Sequence, residues 1–352
     1  MAPPQNIPLR GRGTADSRMH RFSRIEIEPD PEYIEQGISP RTRFYRDDTS
    51  TAIASNDSPD IPFEKSINPY RGCEHGCIYC YARPYHEYLN LSPGIDFETK
   101  IMIKKEAPAL LKKELSHPKW KPQNISISGA TDPYQPVERR LGLTRACLQV
   151  LVDFRNPFTI VTKNHLVTRD LDLFEEMARY QGVRVIISLT SLNSSLINRM
   201  EPRTSRPEKR LKAIRELSKA GIPVGVLVAP IIPGLNDDEI PALISEARNA
   251  GAQFGSYVVL RLPDAVSSLF SDWLEEHYPD RKKKILSRIS SIRKGSLNDS
   301  RFGYRMSGTG AFSDQIRTLF RTSCLRYGLN QEAPELSADH FRRISYQMAF
   351  DF

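Results

Sequence analysis

The sequence predicts an α/β protein built on a parallel sheet, and three observations carry that prediction. Short β-branched runs recur from about residue 60 to 265. Amphipathic stretches of helical period separate the later runs. None of these strand–helix units carries a dinucleotide glycine fingerprint, which favours a barrel or partial barrel over an open nucleotide-binding sheet. In a barrel the chemistry belongs at the C-terminal ends of the strands.

Residues 1–55 are rich in Arg, Pro, Ser and Asp with little apolar periodicity, and are expected to form a basic, flexible arm. Residues 56–265 hold the strand candidates. The first are "FEKSI" (63–67) and "KIMIK" (100–104). "ISIS" (125–128), "FTIVTK" (158–163), "VRVIISL" (183–189), "VGVLVA" (224–229) and "SYVVLRL" (256–262) follow. Leu143, Cys147, Val150 and Phe154 repeat at helical spacing, as do Leu171, Phe174 and Met177 with Ala178. The stretch "PEKRLKAIRELSKAG" (207–221) has Pro near its start and Gly past its end. In "NDDEIPALISEARNAG", Asn236 is the expected N-cap, Glu239 its capping-box partner and Gly251 the stop. Residues 266–352 read as a helical region in which Phe312, Ile316, Leu319 with Phe320, and Cys324 form one apolar stripe.

The chain has 352 residues, 39% of them hydrophobic, enough for one large core or two modest ones. The best apolar run, "GIPVGVLVAPIIPGL", is fifteen residues with three prolines, too short to span a membrane. The opening residues lack the apolar core of a signal peptide, so a cytoplasmic location is expected. Net charge is +8, and the excess is local: residues 281–294 carry seven Lys/Arg and no acid. Arginines also dominate residues 1–24 and 301–326, and basic clusters at both ends suit a polyanion such as nucleic acid. The same run also reads as the solvated face of a helix whose buried stripe is Ile285, Ile289 and Ile292.

Three of five cysteines fall in "NPYRGCEHGCIYCYARPY" (68–85): Cys73, Cys77 and Cys80. An odd, clustered set does not read as a disulfide framework. Three soft thiolates on a tight loop suit a soft metal centre. Zinc would take a fourth ligand, for which His75 or His86 would serve, but no second pair with knuckle spacing follows. Cys147 and Cys324 sit on apolar helical stripes and read as core thiols. A four-iron cluster takes one cysteine per iron, so three cysteines leave one iron open to a small chelating molecule.

The C-x3-C-x2-C spacing, with an aromatic before the third cysteine and a place just after the first predicted barrel strand, resembles the radical SAM superfamily. More narrowly, "GCxxxCxYCYAR", "TDPYQPVE" (131–138), "TKN" (162–164) and "EPRTSRPEKRLKAIRELSKAGI" (201–222) resemble its spore photoproduct lyase-like, or DNA repair photolyase-like, group. The resemblance implies a partial (β/α)6 TIM-type barrel with a C-terminal helical extension. It implies a 4Fe-4S cluster on Cys73, Cys77 and Cys80, and S-adenosylmethionine reductively cleaved to a 5′-deoxyadenosyl radical that abstracts hydrogen from a substrate.

Further roles follow from the same resemblance. Tyr79 matches the aromatic near the adenine, and Tyr79 and Tyr81 match tyrosines implied in relaying a hydrogen atom. Each also reads as loop packing. Thr131 and Asp132 would hold the SAM amino group, in a tetrapeptide that would also make an Asp-Pro turn. Lys163 would reach the SAM carboxylate and Ser188 its ribose or carboxylate. Arg203 would pair with a carboxylate, either of SAM or of a surface salt bridge. The "APIIPGLND" loop would close over the adenine. In the lyase a cysteine precedes the Ser/Thr–Asp pair and donates hydrogen, whereas Ala130 stands at the matching position. Alanine has no hydrogen to donate in that way, so the resemblance extends to the group and not to the lyase's own reaction. The expected electron donor is a flavodoxin or ferredoxin. The competing reading is a non-catalytic Fe-S or zinc protein that binds nucleic acid through its basic ends.

Overall fold

The computed structural model describes residues 11–14, 16, 18, 21–22 and 41–344. Among them the strands are β1 (Arg43–Arg46), β2 (Ile53–Ser55), β3 (Lys65–Ile67), β4 (Tyr70–Arg71), β5 (Lys100–Ile103), β6 (Ile125–Ile127), β7 (Phe158–Thr162), β8 (Val183–Ser188), β9 (Val224–Ile231) and β10 (Phe254–Val259). The first helices are α1 (Ile95–Thr99), α2 (Ala107–Ser116), α3 (Glu138–Leu141), α4 (Leu143–Phe154), α5 (Leu171–Ala178) and α6 (Ser194–Met200). They are followed by α7 (Pro207–Lys219), α8 (Ile240–Ala250), α9 (Ala265–His277), α10 (Pro279–Ser291) and α11 (Ala311–Tyr327).

Strands β3, β6, β7, β8, β9 and β10 lie side by side, all parallel, with β2 antiparallel on the outer edge of β3. This is a partial TIM-type barrel, with helices in the crossovers. Register brings Ile127 beside Ile160, Ile160 beside Val185, and Val185 beside Val224. All four are fully buried, because helices cover one face of the sheet and side chains fill the other. Ile214 and Leu217 of α7 and Leu243 and Ile244 of α8 join the same core. Cys147 and Cys324 are buried in it as well, as their helical stripes require.

The structure departs from the sequence reading at four points. "KIMIK" forms β5, but β5 pairs with β1 and β4 in a separate three-stranded sheet inserted into the first crossover. Part of the expected flexible arm is ordered into β1 and β2, whose short, half-exposed pattern carries no clear periodicity. The rest of the arm lies largely outside the described residues. Asn236 and Glu239 do not form a capping box. The Asn236 amide accepts from Ile232 N at 2.7 Å and donates to the Thr190 and Pro230 carbonyls at 2.7 and 3.0 Å. Glu239 accepts from Ser191 Oγ at 2.6 Å and Leu192 N at 2.7 Å. Buried backbone groups in neighbouring loops claim these side chains before the helix end can.

The fourth departure concerns the C-terminal helical region. Segments 292–310 and 328–344 hold turns and extended chain rather than helix. On α11, Ile316, Phe320 and Cys324 are buried, but Phe312 is exposed, with the Arg288 guanidinium 5.2 Å from its ring centre. Ile285, Ile289 and Ile292 are buried as the stripe predicts. No helix among the described residues is long and apolar enough to cross a membrane.

Candidate active site

The chain leaves β3, passes through β4, and enters the cysteine loop at the C-terminal ends of the barrel strands. Backbone bonds hold it there: Cys73 N donates to Phe97 O at 2.9 Å and Ile78 N to Met200 O at 3.1 Å. Arg83, wholly buried, donates to Cys77 O at 3.0 Å and to the Glu98 carboxylate at 2.6 Å. Gly13 N donates to the other Glu98 oxygen at 3.0 Å. Gly76 sits over that carboxylate at φ 65°, where an added Cβ would stand 2.5 Å from Oε2. A Cβ on Gly13 would meet the Gly76 carbonyl oxygen at 1.8 Å. The loop is therefore gripped between the N-terminal segment and α1, at a spacing only glycine permits.

Cys73 and Cys77 are buried and Cys80 is half-buried; all three are free thiols. Burial, reinforced by neighbouring acids and thiols, pushes Cys77 well up and Cys80 to about 11. Held as thiolates, they need a cationic centre beside them. Among the described residues no three His, Cys, Asp or Glu converge on a single-ion site. Three soft sulfur donors on one loop are the donor set that a cluster taking one sulfur per iron would use. The two histidines considered as zinc ligands are engaged elsewhere. His86 Nε2 lies 2.9 Å from Lys100 O, and its ring meets Phe97 edge-on. His75 is fully buried, with Nδ1 3.4 Å from Asp132 and Nε2 3.2 Å from Asn164 Nδ2.

Thr131 and Asp132 follow β6 and hold this loop to the barrel. Thr131 Oγ1 donates to Gly72 O at 2.8 Å and accepts from Gln135. Asp132 accepts from Thr162 Oγ1 at 2.7 Å, Tyr134 N at 2.9 Å and Lys163 N at 2.8 Å. Burial opposes its ionisation, but His75, Thr162 and the Lys163 amide outweigh it and hold Asp132 below the usual carboxylate range. Asp132 is thus a saturated brace between loop and strand ends.

Lys163 and Ser188 meet at the ends of β7 and β8, with Nζ donating to Ser188 Oγ at 2.5 Å and to Ala229 O at 3.3 Å. Beneath them lies Glu201, the first residue of the "EPRTSRPEKRLKAIRELSKAGI" stretch, to which the sequence alone assigned no role. It accepts from Thr190 Oγ1 at 2.6 Å, from the Tyr79 hydroxyl and from buried Arg210, and it lies 3.8 Å from Lys163. Burial would raise the Glu201 carboxyl, yet Arg210 and Lys163 prevail and bring it down to about 2. Tyr79 is buried with its proton committed to Glu201, and burial and that carboxylate push it far up. Tyr79, Lys163, Ser188 and Glu201 form one polar cluster, joined to the cysteine loop through Tyr79. Arg210 was invisible to motif reading because its place inside an amphipathic helix looks like any surface Arg.

Arg203 lies apart from this cluster, 29% exposed, 3.2 Å from Glu74 and 3.4 Å from Thr42. Its geometry is that of the salt bridge considered for it. Tyr81 also stands apart, at the rim. It is 41% exposed, its hydroxyl donates to Gly129 O, and Arg261 lies 5.2 Å from its ring centre. Ala130 is beside that contact, its amide held by Asn68 at 2.9 Å. The "APIIPGLND" turn is tied down from both sides, by Asn236 within it and by Arg281 bonding Gly234 O.

Comparison with known proteins agrees with this layout. The Radical SAM superfamily model matches residues 67–247. An uncharacterized protein of Mycobacterium tuberculosis is 36% identical over 238 residues, covering 67% of this chain and 69% of its own. An uncharacterized protein of Methanocaldococcus jannaschii is 33% identical over 228 residues, covering 65% and 81%. The spore photoproduct lyase of Bacillus subtilis is 29% identical over 183 residues, 50% of this chain and 48% of the lyase. A solved spore photoproduct lyase with bound AdoMet and dinucleoside spore photoproduct shares the fold at TM-score 0.56 and 19% identity, covering 81% and 78% of the two chains. Members of the superfamily bind a 4Fe-4S cluster and S-adenosylmethionine and need a reductant. A parallel barrel, a three-cysteine loop at its strand ends and a family match over half the chain lead to one conclusion: this protein belongs to the radical SAM superfamily and is an enzyme of its lyase-like kind.

Proposed function

We propose that this enzyme cleaves S-adenosylmethionine reductively and directs the resulting radical at a nucleic-acid substrate. The carrying observation is the juxtaposition of three thiols on a clamped loop with the Lys163–Ser188 pair at the strand ends. Cys73, Cys77 and Cys80 would hold the 4Fe-4S cluster, which supplies the electron that breaks a sulfonium carbon–sulfur bond. Lys163 offers an ammonium to the carboxylate of the methionine moiety, with Glu201 3.8 Å away. Ser188 offers a hydroxyl in the same place. Asp132 does not contact the ligand in this reading; it fixes His75 and the Lys163 backbone so that loop and strand keep their register.

The substrate class rests on the rim. Tyr81, Tyr85, Phe302 and Tyr304 expose between 41% and 53% of their surface. Arg261 covers Tyr81, Arg305 lies 4.7 Å from Phe302, and Arg301 lies 5.1 Å from Tyr304. Burial and the charge of Arg261 push Arg293 down to about 10, a sign of crowded cations there. Exposed rings interleaved with guanidinium groups suit unpaired bases, which stack on either, and their phosphates. That the similar lyase was solved with a dinucleoside photoproduct supports the same class.

The test is anaerobic reconstitution, reduction by dithionite and addition of SAM, with oligonucleotides deuterated in the sugar or base. Release of 5′-deoxyadenosine is expected, with label passing into it from one oligonucleotide. A protein with a full complement of iron that releases none would overturn the radical reading. Zinc in place of iron would favour the non-catalytic binding protein.

A further inference from the structure

Two cavities open on the outside of the cysteine loop, away from the Tyr81 rim. One, of about 570 Å³, is lined by Arg41, Arg140 and Arg203 among others, and Glu74 forms part of its wall. The other, of about 450 Å³, is lined by Arg139, Arg169, Lys209 and Asn164. Helix α3 joins them, since Arg139 faces one and Arg140 the other. Together seven Arg and Lys line these cavities, against one carboxylate, Glu74. Arg139, Arg140 and Lys209 are exposed and form no ion pair with a described residue. Leu141, next along α3, is 41% exposed.

The larger cavity includes a residue of the segment between Cys73 and Cys77, and the smaller reaches that segment through Asn164. Glu74 follows Cys73 directly. Asn164 of the second cavity lies 3.2 Å from His75 Nε2, and His75 packs against Cys73. The larger cavity is thus lined by the chain neighbour of a candidate cluster ligand, and the smaller reaches the same cysteine through Asn164 and His75. The rim around Tyr81 offers rings for bases; this face offers none exposed, because Phe44, the only aromatic lining either cavity, lies under Arg140 at 5.0 Å. Cationic charge around a small apolar contact is the pattern of a protein interface, with charge steering the encounter. Redox partners use small interfaces of this kind, below about 1,200 Å².

We propose that this basic face docks an acidic one-electron carrier protein of the flavodoxin or ferredoxin class. The inference rests on the radical SAM reading above. One electron leaves the reduced carrier, which is oxidised by one electron, and the enzyme is reduced by one; no bond or proton moves with it. Opposite charge brings the carrier to the face beside Glu74 and Asn164, next to the Cys73 end of the loop, while the rim stays free for substrate.

The test compares wild type with the variant R139E/R140E/K209E, using purified acidic flavodoxin as the probe. Titration of flavodoxin onto the apo-protein should show a complex that weakens with salt, and at least tenfold weaker binding by the variant. In the reconstituted protein, 5′-deoxyadenosine formation driven by reduced flavodoxin should fall at least fivefold, with the dithionite-driven rate unchanged. The variant R139E/K209E spares the Arg140–Phe44 contact and should show a smaller fall of the same kind. Unchanged flavodoxin affinity in both variants overturns the proposal. So does oligonucleotide affinity falling where flavodoxin affinity does not, which would make this a nucleic-acid face. Absence of SAM cleavage with dithionite in wild type would instead defeat the radical reading itself.

Discussion

The two flanks of the cysteine loop are held in opposite ways. Upstream, around Cys73, the buried polar groups are paired: Thr131 to Gly72, Asp132 to His75 and Lys163, Glu74 to the Val137 amide at 2.7 Å. Downstream, around Cys80, the chain opens to solvent through Tyr81 and Tyr85, whose neighbours are Arg261 and Arg305. The first flank spends its polar groups on position. The second leaves rings and guanidinium groups exposed, where holding them costs stability unless something binds. The loop thus has one flank committed to internal pairing and one presented to solvent.

That division can be broken at several points, starting with the thiols. Cys77→Ala should lower iron content after reconstitution and abolish 5′-deoxyadenosine formation, since no neighbouring residue can replace the lost ligand. Full iron content with normal turnover would remove Cys77 from the site. Next in size is Arg210→Ala, which strands the buried Glu201 carboxylate. Losing one partner of a buried pair costs about 3–5 kcal/mol. At a few degrees per kcal/mol, the thermal midpoint should drop by roughly 10 °C. A midpoint within a degree of wild type would show the network to be structurally idle.

The same network predicts a pH dependence. Glu201 titrates at about 2 in the fold, below its ordinary 4.5. A depressed carboxylate contributes stability that is fully present above the unfolded value and is lost as pH falls through the folded one. Acid titration from pH 5 toward 2 should therefore cost on the order of 3 kcal/mol that Glu201→Gln no longer shows, read as midpoint against pH for both proteins.

On the open flank the effects should be smaller and should appear in binding instead. Arg261→Ala should weaken single-stranded oligonucleotide binding by about 1–3 kcal/mol, the worth of one stacking contact, and flatten its salt dependence. Equal affinities by fluorescence anisotropy would leave the rim without its assigned ligand. Smallest of all, Tyr304→Ala should move stability by no more than about 0.5 kcal/mol, because an exposed ring packs little. A larger loss on melting would mean that the rim is structural, erasing the contrast with the upstream flank.

The barrel strands were legible because parallel strands covered on both sides read as near-continuous apolar runs, as "VGVLVA" does. Helices α4, α5 and α7 were legible from their period. The cysteine spacing pointed to the site, and Lys163 and Ser188 lie where their places at strand ends suggested. Illegible were the contacts between residues distant in sequence. Nothing near Asp132 in the chain announces His75, and nothing near Tyr79 announces Glu201, 122 positions away. Asn236 shows the reverse error: a local capping signal lost to a stronger demand from buried carbonyls.

By itself the sequence determined the strand–helix alternation, the three-thiol loop and the excess of cations, all local properties of spacing and residue type. Tertiary structure alone decided which carboxylates are braces, which cations are buried, and which tyrosine is sealed while its neighbour two positions on meets solvent. Burial and pairing depend on what the fold brings close, and a one-dimensional pattern carries no record of that.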